Sequence, residues 1–125
     1  MLQLLLIGLG SAVGGVCRYL LSTSIYSLIG KDFPYGTLAV NMLGSFFIGL
    51  LSVLFIERVN ELGAPLRALL IIGFLGGFTT FSSFSMETFN LLESGEIFSA
   101  ILNIVISLVA CIALTGMGVL LARQL

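Results

Sequence analysis

Four apolar runs, at about residues 2 to 28, 35 to 57, 66 to 92 and 96 to 122, fill almost the whole chain. Each matches or exceeds the roughly 20 residues of helix needed to cross a bilayer's hydrocarbon core. The breaks between them are short: Gly30-Lys31-Asp32-Phe33-Pro34, Glu57-Arg58-Val59-Asn60-Glu61-Leu62-Gly63 and Glu93-Ser94-Gly95-Glu96. Unpaired backbone groups are costly in lipid, and the alternating strands of a membrane barrel are absent from the pattern, so helices are the expected spanning element. The expectation is an all-α integral membrane protein, one domain over residues 1–125, with four transmembrane helices.

Composition excludes several other classes. Hydrophobic residues occupy 58% of the 125 positions and charged residues 9%, too few charges to solvate an ordinary soluble surface. A net charge of −1 supplies no basic patch for nucleic acid. With no histidine, and with Cys17 and Cys111 in separate apolar runs, zinc sites, imidazole acid-base chemistry and a disulfide framework are not expected. The first run carries neither a basic leader nor a small-residue cleavage pattern, so it is read as a retained helix.

Four spans put both termini on one side, with Arg58, Arg67 and Arg123; Arg18 and Lys31 fall toward the other. Because the Lys/Arg bias that orients membrane proteins is nearly balanced, the expectation is an antiparallel homodimer of oppositely inserted copies. A weakly biased single topology is the alternative that charge counting leaves open.

The third run is the least ordinary. Gly76-Gly77-Phe78-Thr79-Thr80 in mid-membrane is poor helix material, and a break there would free carbonyls that protein, water or an ion must satisfy. Close helix packing is the other reading of a Gly-Gly pair. Beyond it, Phe81 and Phe84 share a face, with Ser82, Ser83, Ser85 and Glu87 at neighbouring angles. The rim of a phenyl ring is electropositive. Set beside hydroxyl donors, it suits a small anion without the tight grip of a full positive charge, which would slow exit from a conducting site.

Two polar stripes run along other helices: Thr37, Asn41 and Ser45 in the second, and Asn103, Ser107, Cys111 and Thr115 in the fourth. Such stripes serve helix-helix hydrogen bonding or line a hydrated path. The Asn41 amide offers two N–H donors, a better match to an anion than a carboxylate. Arg18 either snorkels to the interface or concentrates anions at a vestibule. Glu87, an acid deep in a span, must be protonated, paired or turned away from an anion path.

Gly14-Gly15-Val16-Cys17-Arg18-Tyr19, Pro34 to Phe46 and Gly76 to Glu87 together resemble the motifs of the bacterial fluoride channels called Fluc or CrcB, in order and across the chain. The resemblance implies passive, fluoride-selective conduction in the bacterial inner membrane by a dual-topology homodimer with two pores. It assigns Phe81 and Phe84 as the paired pore phenylalanines, Asn41 as the pore asparagine and Arg18 as the vestibule arginine. Thr37, Ser82, Ser83 and Ser107 are the further hydroxyls expected along the fluoride path. It also implies a structural sodium ion on the dimer axis, bound by backbone carbonyls of Gly76 and Thr79 from both subunits. Ser83 stands where threonine is common in that family, and Cys111 interrupts the fourth-helix stripe.

The rival readings are a four-helix dual-topology multidrug exporter, a non-transporting assembly subunit and a membrane enzyme. An exporter of that kind needs an embedded acid in the first helix, which has none, so Glu87 would have to take over proton coupling from the third. The small-residue faces suit an assembly subunit, but that reading leaves the phenyl and hydroxyl cluster unexplained. No nucleophile-base pair or metal cluster supports an enzyme.

Overall fold

The computed structural model describes residues 1–58 and 63–125, which form helices joined by short non-helical connections. Helix α1 is Leu2–Ile29, α2 is Tyr35–Glu57 and the third span is Gly63–Glu93. That span divides into α3, residues 63–78, and α4, Phe81–Glu93; α5, Ile97–Gln124, completes the bundle. All four spans are long and apolar enough to cross a membrane. Residues 53–57 and 67–75 follow wider i→i+5 turns.

Small residues set the packing. A Cβ on Gly10 or Gly14 would run into the carbonyls of Leu69 and Phe74, and one on Gly77 into the backbone of Ser11. The α1 and α3 backbones therefore nearly touch, as membrane helices do when van der Waals contact replaces hydrophobic driving force. Across the bundle, Gly49 on α2 meets the Thr115 carbonyl of α5, and Gly118 meets that of Phe46. The chain thus forms two tight pairs, α1 with α3 and α2 with α5, joined through α1–α2 contacts. At the end where α2 and α5 both finish, Arg123 Nη2 lies 3.2 Å from Glu57 Oε1 and Arg58 Nη2 donates to the Arg123 carbonyl at 3.2 Å.

The helix does not stop at the glycine pair. Gly76, Gly77 and Phe78 remain helical, and only Thr79 (φ −80°, ψ 156°) and Thr80 (φ −151°, ψ 114°) are extended. Gly77 is spent on close packing with α1, which holds that turn in place. The last helical turn is closed by Thr79 N–H and Oγ1, both donating to the Leu75 carbonyl at 2.9 Å. Thr80 then opens α4 as its N-cap, its Oγ1 accepting from Ser83 N–H at 3.2 Å.

The buried core is small: Val40, Val53, Ala68, Leu75, Phe78, Ala100 and Ala122. Most large apolar side chains of α1 and α5 face outward, among them Leu5, Leu9, Val13, Ile101, Val105 and Ile112. A surface of this kind requires lipid or another apolar face to cover it.

Candidate functional site

The two extended threonines separate two cavities. On one side an apolar groove of about 330 Å³ is lined by Asn41, Ser45, Gly76, Thr79, Thr80, Phe81, Phe84, Ser107 and Cys111, with aliphatic walls from Ile48, Ile71, Leu75, Leu108 and Ile112. On the other a cavity of about 240 Å³ is lined by Arg18, Tyr19, Ser22, Tyr26, Thr37, Thr80, Ser83 and Glu87. Thr80 is the residue common to both. A third hollow of about 570 Å³, with Lys31, Asp32, Asn90, Ser94 and Glu96, continues from Tyr26 and Glu87 to the chain's surface.

In the groove, the Phe81 and Phe84 rings are tilted 44° with centroids 5.3 Å apart. Phe81 is 73% exposed although it stands beside a break in mid-span. Their placement follows from the N-cap: α4 starts at Phe81, so the two rings leave its first turn on one side. Ser107 is buried, its hydroxyl donating to Asn103 Oδ1 at 3.3 Å, while Asn103 Nδ2 donates to Thr88 Oγ1 at 2.8 Å. Thr115 donates to the Ser45 carbonyl at 3.0 Å. The fourth-helix stripe is thus divided: Asn103 and Thr115 hold helices together, and Ser107 and Cys111 face the groove.

Asn41 makes a two-point clasp on the break. Its Oδ1 accepts Thr80 N–H at 2.8 Å and its Nδ2 donates to the Thr80 carbonyl at 3.0 Å. One of the two amide donors read from the sequence as anion ligands is therefore engaged by backbone, and the second N–H remains. The clasp also alters the carbonyls of α3. In an unbroken helix Thr80 N–H would bond the Gly76 carbonyl and Ser83 N–H that of Thr79. Here the first goes to Asn41 and the second to Thr80 Oγ1. The two carbonyls singled out for a cation lose their helical donors, and both residues line the open groove.

The second cavity holds Arg18, Thr37 and Ser83, away from the phenylalanines. Thr37 Oγ1 donates to Glu87 Oε1 at 2.7 Å and Tyr26 Oη to Glu87 Oε2 at 3.1 Å, while Tyr26 Oη accepts from Thr37 N–H at 3.4 Å. The carboxylate is thus anchored at the N-terminus of α2, where the helix dipole favours negative charge. Arg18 Nε is buried without a hydrogen-bond partner among the described residues. Ser82 is exposed and lines neither cavity; its hydroxyl lies 3.3 Å from Thr80 Oγ1. Tyr26 and Thr88 are polar residues the sequence reading missed, and Thr80 entered it only as part of the break. Ser11, Arg18, Ser22 and Tyr26 fall at near-helical spacing, a signal for the first of them.

Residues 5–119 match the model of the family described as CrcB-like protein, Camphor Resistance (CrcB). The chain belongs to the CrcB family. A member from Coxiella burnetii (strain Dugway 5J108-111), named fluoride-specific ion channel FluC, is 52% identical over 124 residues, 99% of this chain and 100% of the relative. A protein of the same name from Geobacter sulfurreducens is 52% identical over all of both chains. A third, from Citrifermentans bemidjiense, is 50% identical over 98% of each. With its four apolar spans, this CrcB chain is a multi-pass membrane protein.

Proposed function

We propose that the chain is a fluoride-selective channel that lets cytoplasmic fluoride leave a bacterial cell passively, across the inner membrane. The observation that carries this reading is the groove, where two phenyl rims and a spare Asn41 N–H line one hollow without a lysine or arginine. Electropositive ring edges and neutral donors bind a small anion weakly enough for it to leave. Half-identity along the whole chain to proteins named fluoride-specific ion channels supports the choice of ion. A membrane potential negative inside drives an anion outward by about 2.3 kcal/mol per 100 mV, so no coupling site is required.

The working unit is an antiparallel homodimer with two pores. Supporting this are the balanced Lys/Arg distribution and the exposed, apolar groove face, on which Phe81 lacks cover from its own chain. Arg18 and the Thr37 and Ser83 hydroxyls form the wetter approach, and Ser82 lies at the mouth of α4.

A sodium ion fits the groove's backbone. The carbonyls of Gly76 and Thr79 have lost their helical donors, and uncharged oxygens from two chains suit a hard monovalent cation. No carboxylate lines the groove among the described residues. When bound, the ion supplies fixed positive charge that offsets part of the cost of bringing an anion into the membrane.

Liposomes carrying the purified protein test the function. Fluoride efflux far faster than chloride efflux, with no dependence on a proton gradient, is the expected result. Equal rates for the two anions, or efflux only when a proton gradient is imposed, would reject a fluoride channel.

A further inference from the structure

The donors that would otherwise occupy the Gly76 and Thr79 carbonyls are removed by two particular side chains. Asn41 Oδ1 takes Thr80 N–H at 2.8 Å, and Thr80 Oγ1 takes Ser83 N–H at 3.2 Å. We infer that Asn41 and Thr80 are positioning residues for the cation: neither side chain ligates it, and each frees one carbonyl ligand by holding an N–H elsewhere. The inference rests on the cation reading given above, and it gives Asn41 a task besides offering its spare N–H to an anion.

The physics favours an exchange of partners over a passive gap. A buried N–H must find an acceptor, and in a broken helix the nearest acceptor is the carbonyl one turn back. Without Asn41 Oδ1, Thr80 N–H is drawn back onto the Gly76 carbonyl and the cation loses a ligand. Without Thr80 Oγ1, Ser83 N–H is drawn toward the Thr79 carbonyl in the same way. The Asn41 Nδ2 bond to the Thr80 carbonyl, at 3.0 Å, completes the clasp but bears on neither ligand. The acceptor half of the amide and the hydroxyl of the threonine are therefore the functional atoms. This makes Asn41→Asp and Thr80→Ser permissive for the cation, because each retains its acceptor, while Asn41→Leu and Thr80→Val remove theirs with little change of bulk.

The experiment is thermal unfolding of the purified full chain at constant ionic strength, with sodium replaced stepwise by a bulky organic cation. The wild type is expected to melt higher as sodium rises, with a definable midpoint concentration. Asn41→Leu and Thr80→Val should raise that midpoint at least about tenfold, the scale of losing one contact of charged hydrogen-bond strength. Asn41→Asp and Thr80→Ser should stay near the wild-type midpoint or, for the added carboxylate, fall below it. Wild-type midpoints in both Asn41→Leu and Thr80→Val would overturn the inference and leave the cation itself standing. A shift in only one of the two would overturn the claim for the other residue. A wild type whose melting ignores sodium would instead overturn the cation reading and this inference with it. If Asn41→Leu does not yield folded protein, Asn41→Ala, which also lacks the acceptor, decides for Asn41, and the Thr80 pair decides for Thr80.

Discussion

Thr37 donates a 2.7 Å hydrogen bond to Glu87, tying the first turn of α2 to the middle of α4 fifty residues later. Tyr26 from α1 completes the anchor on the other carboxylate oxygen, so one acid draws together three helices. Removing a partner from a half-buried carboxylate leaves its desolvation uncompensated. Thr37→Val should therefore lower stability by about 1 to 3 kcal/mol, whereas Thr37→Ser, which retains the hydroxyl, should cost less. Chemical denaturation of the two variants in one detergent checks the order.

The aromatic pair gives a prediction on conduction. Phe81→Ile and Phe84→Ile preserve bulk but remove the electropositive rim. At about 1 kcal/mol per aromatic edge contact, each should slow fluoride efflux about fivefold, with assembly unchanged. Wild-type efflux from a correctly assembled double variant would show that the rings serve only as packing.

Packing makes a sharper prediction because the chain carries its own control. Gly14 and Gly15 are neighbours on α1, yet a Cβ on Gly14 would strike the Phe74 carbonyl while one on Gly15 meets open space within the chain. Gly14→Ala must push α1 away from α3 and should destabilise by about 1 to 3 kcal/mol, as overpacking does. Gly15→Ala gains helix propensity and should leave the unfolding of the single chain unchanged or slightly improved. If Gly15→Ala instead impairs dimer formation, measured by cross-linking, α1 contributes its Gly15 face to the partner contact.

The spans were legible because hydropathy and punctuation depend on little but local sequence: runs at about 2 to 28 and 35 to 57 became Leu2–Ile29 and Tyr35–Glu57. The polar stripes were legible as stripes but not in their division of labour. Spacing puts Asn103, Ser107 and Thr115 on one face; whether each meets a helix or a groove depends on where Thr88 and Ser45 arrive from distant sequence. The same holds for Gly76 and Gly77, which local propensity marks as helix-breaking and which contact with α1 retains in the helix. Asn41 and Thr80 are thirty-nine residues apart, and no local pattern announces that an amide will substitute for a turn of helix.

Orientation in the membrane gives the last prediction. The two ends of the bundle carry nearly equal positive charge: Arg58, Arg67 and Arg123 at one, Arg18 and Lys31 toward the other. Retention of Lys/Arg on the cytoplasmic side sets topology, so so small a difference leaves both insertions accessible, and an antiparallel dimer needs both. Adding two or three lysines to the Glu93–Glu96 connection should drive every copy into one orientation, deprive it of its partner and abolish fluoride efflux. Adding them near Asn60 should do the same with the opposite sense. Neither variant alters the groove, so co-expression of the two should restore efflux, an outcome that damage to the fold cannot mimic. Normal efflux from either biased variant alone would mean that a parallel pair or a single chain conducts.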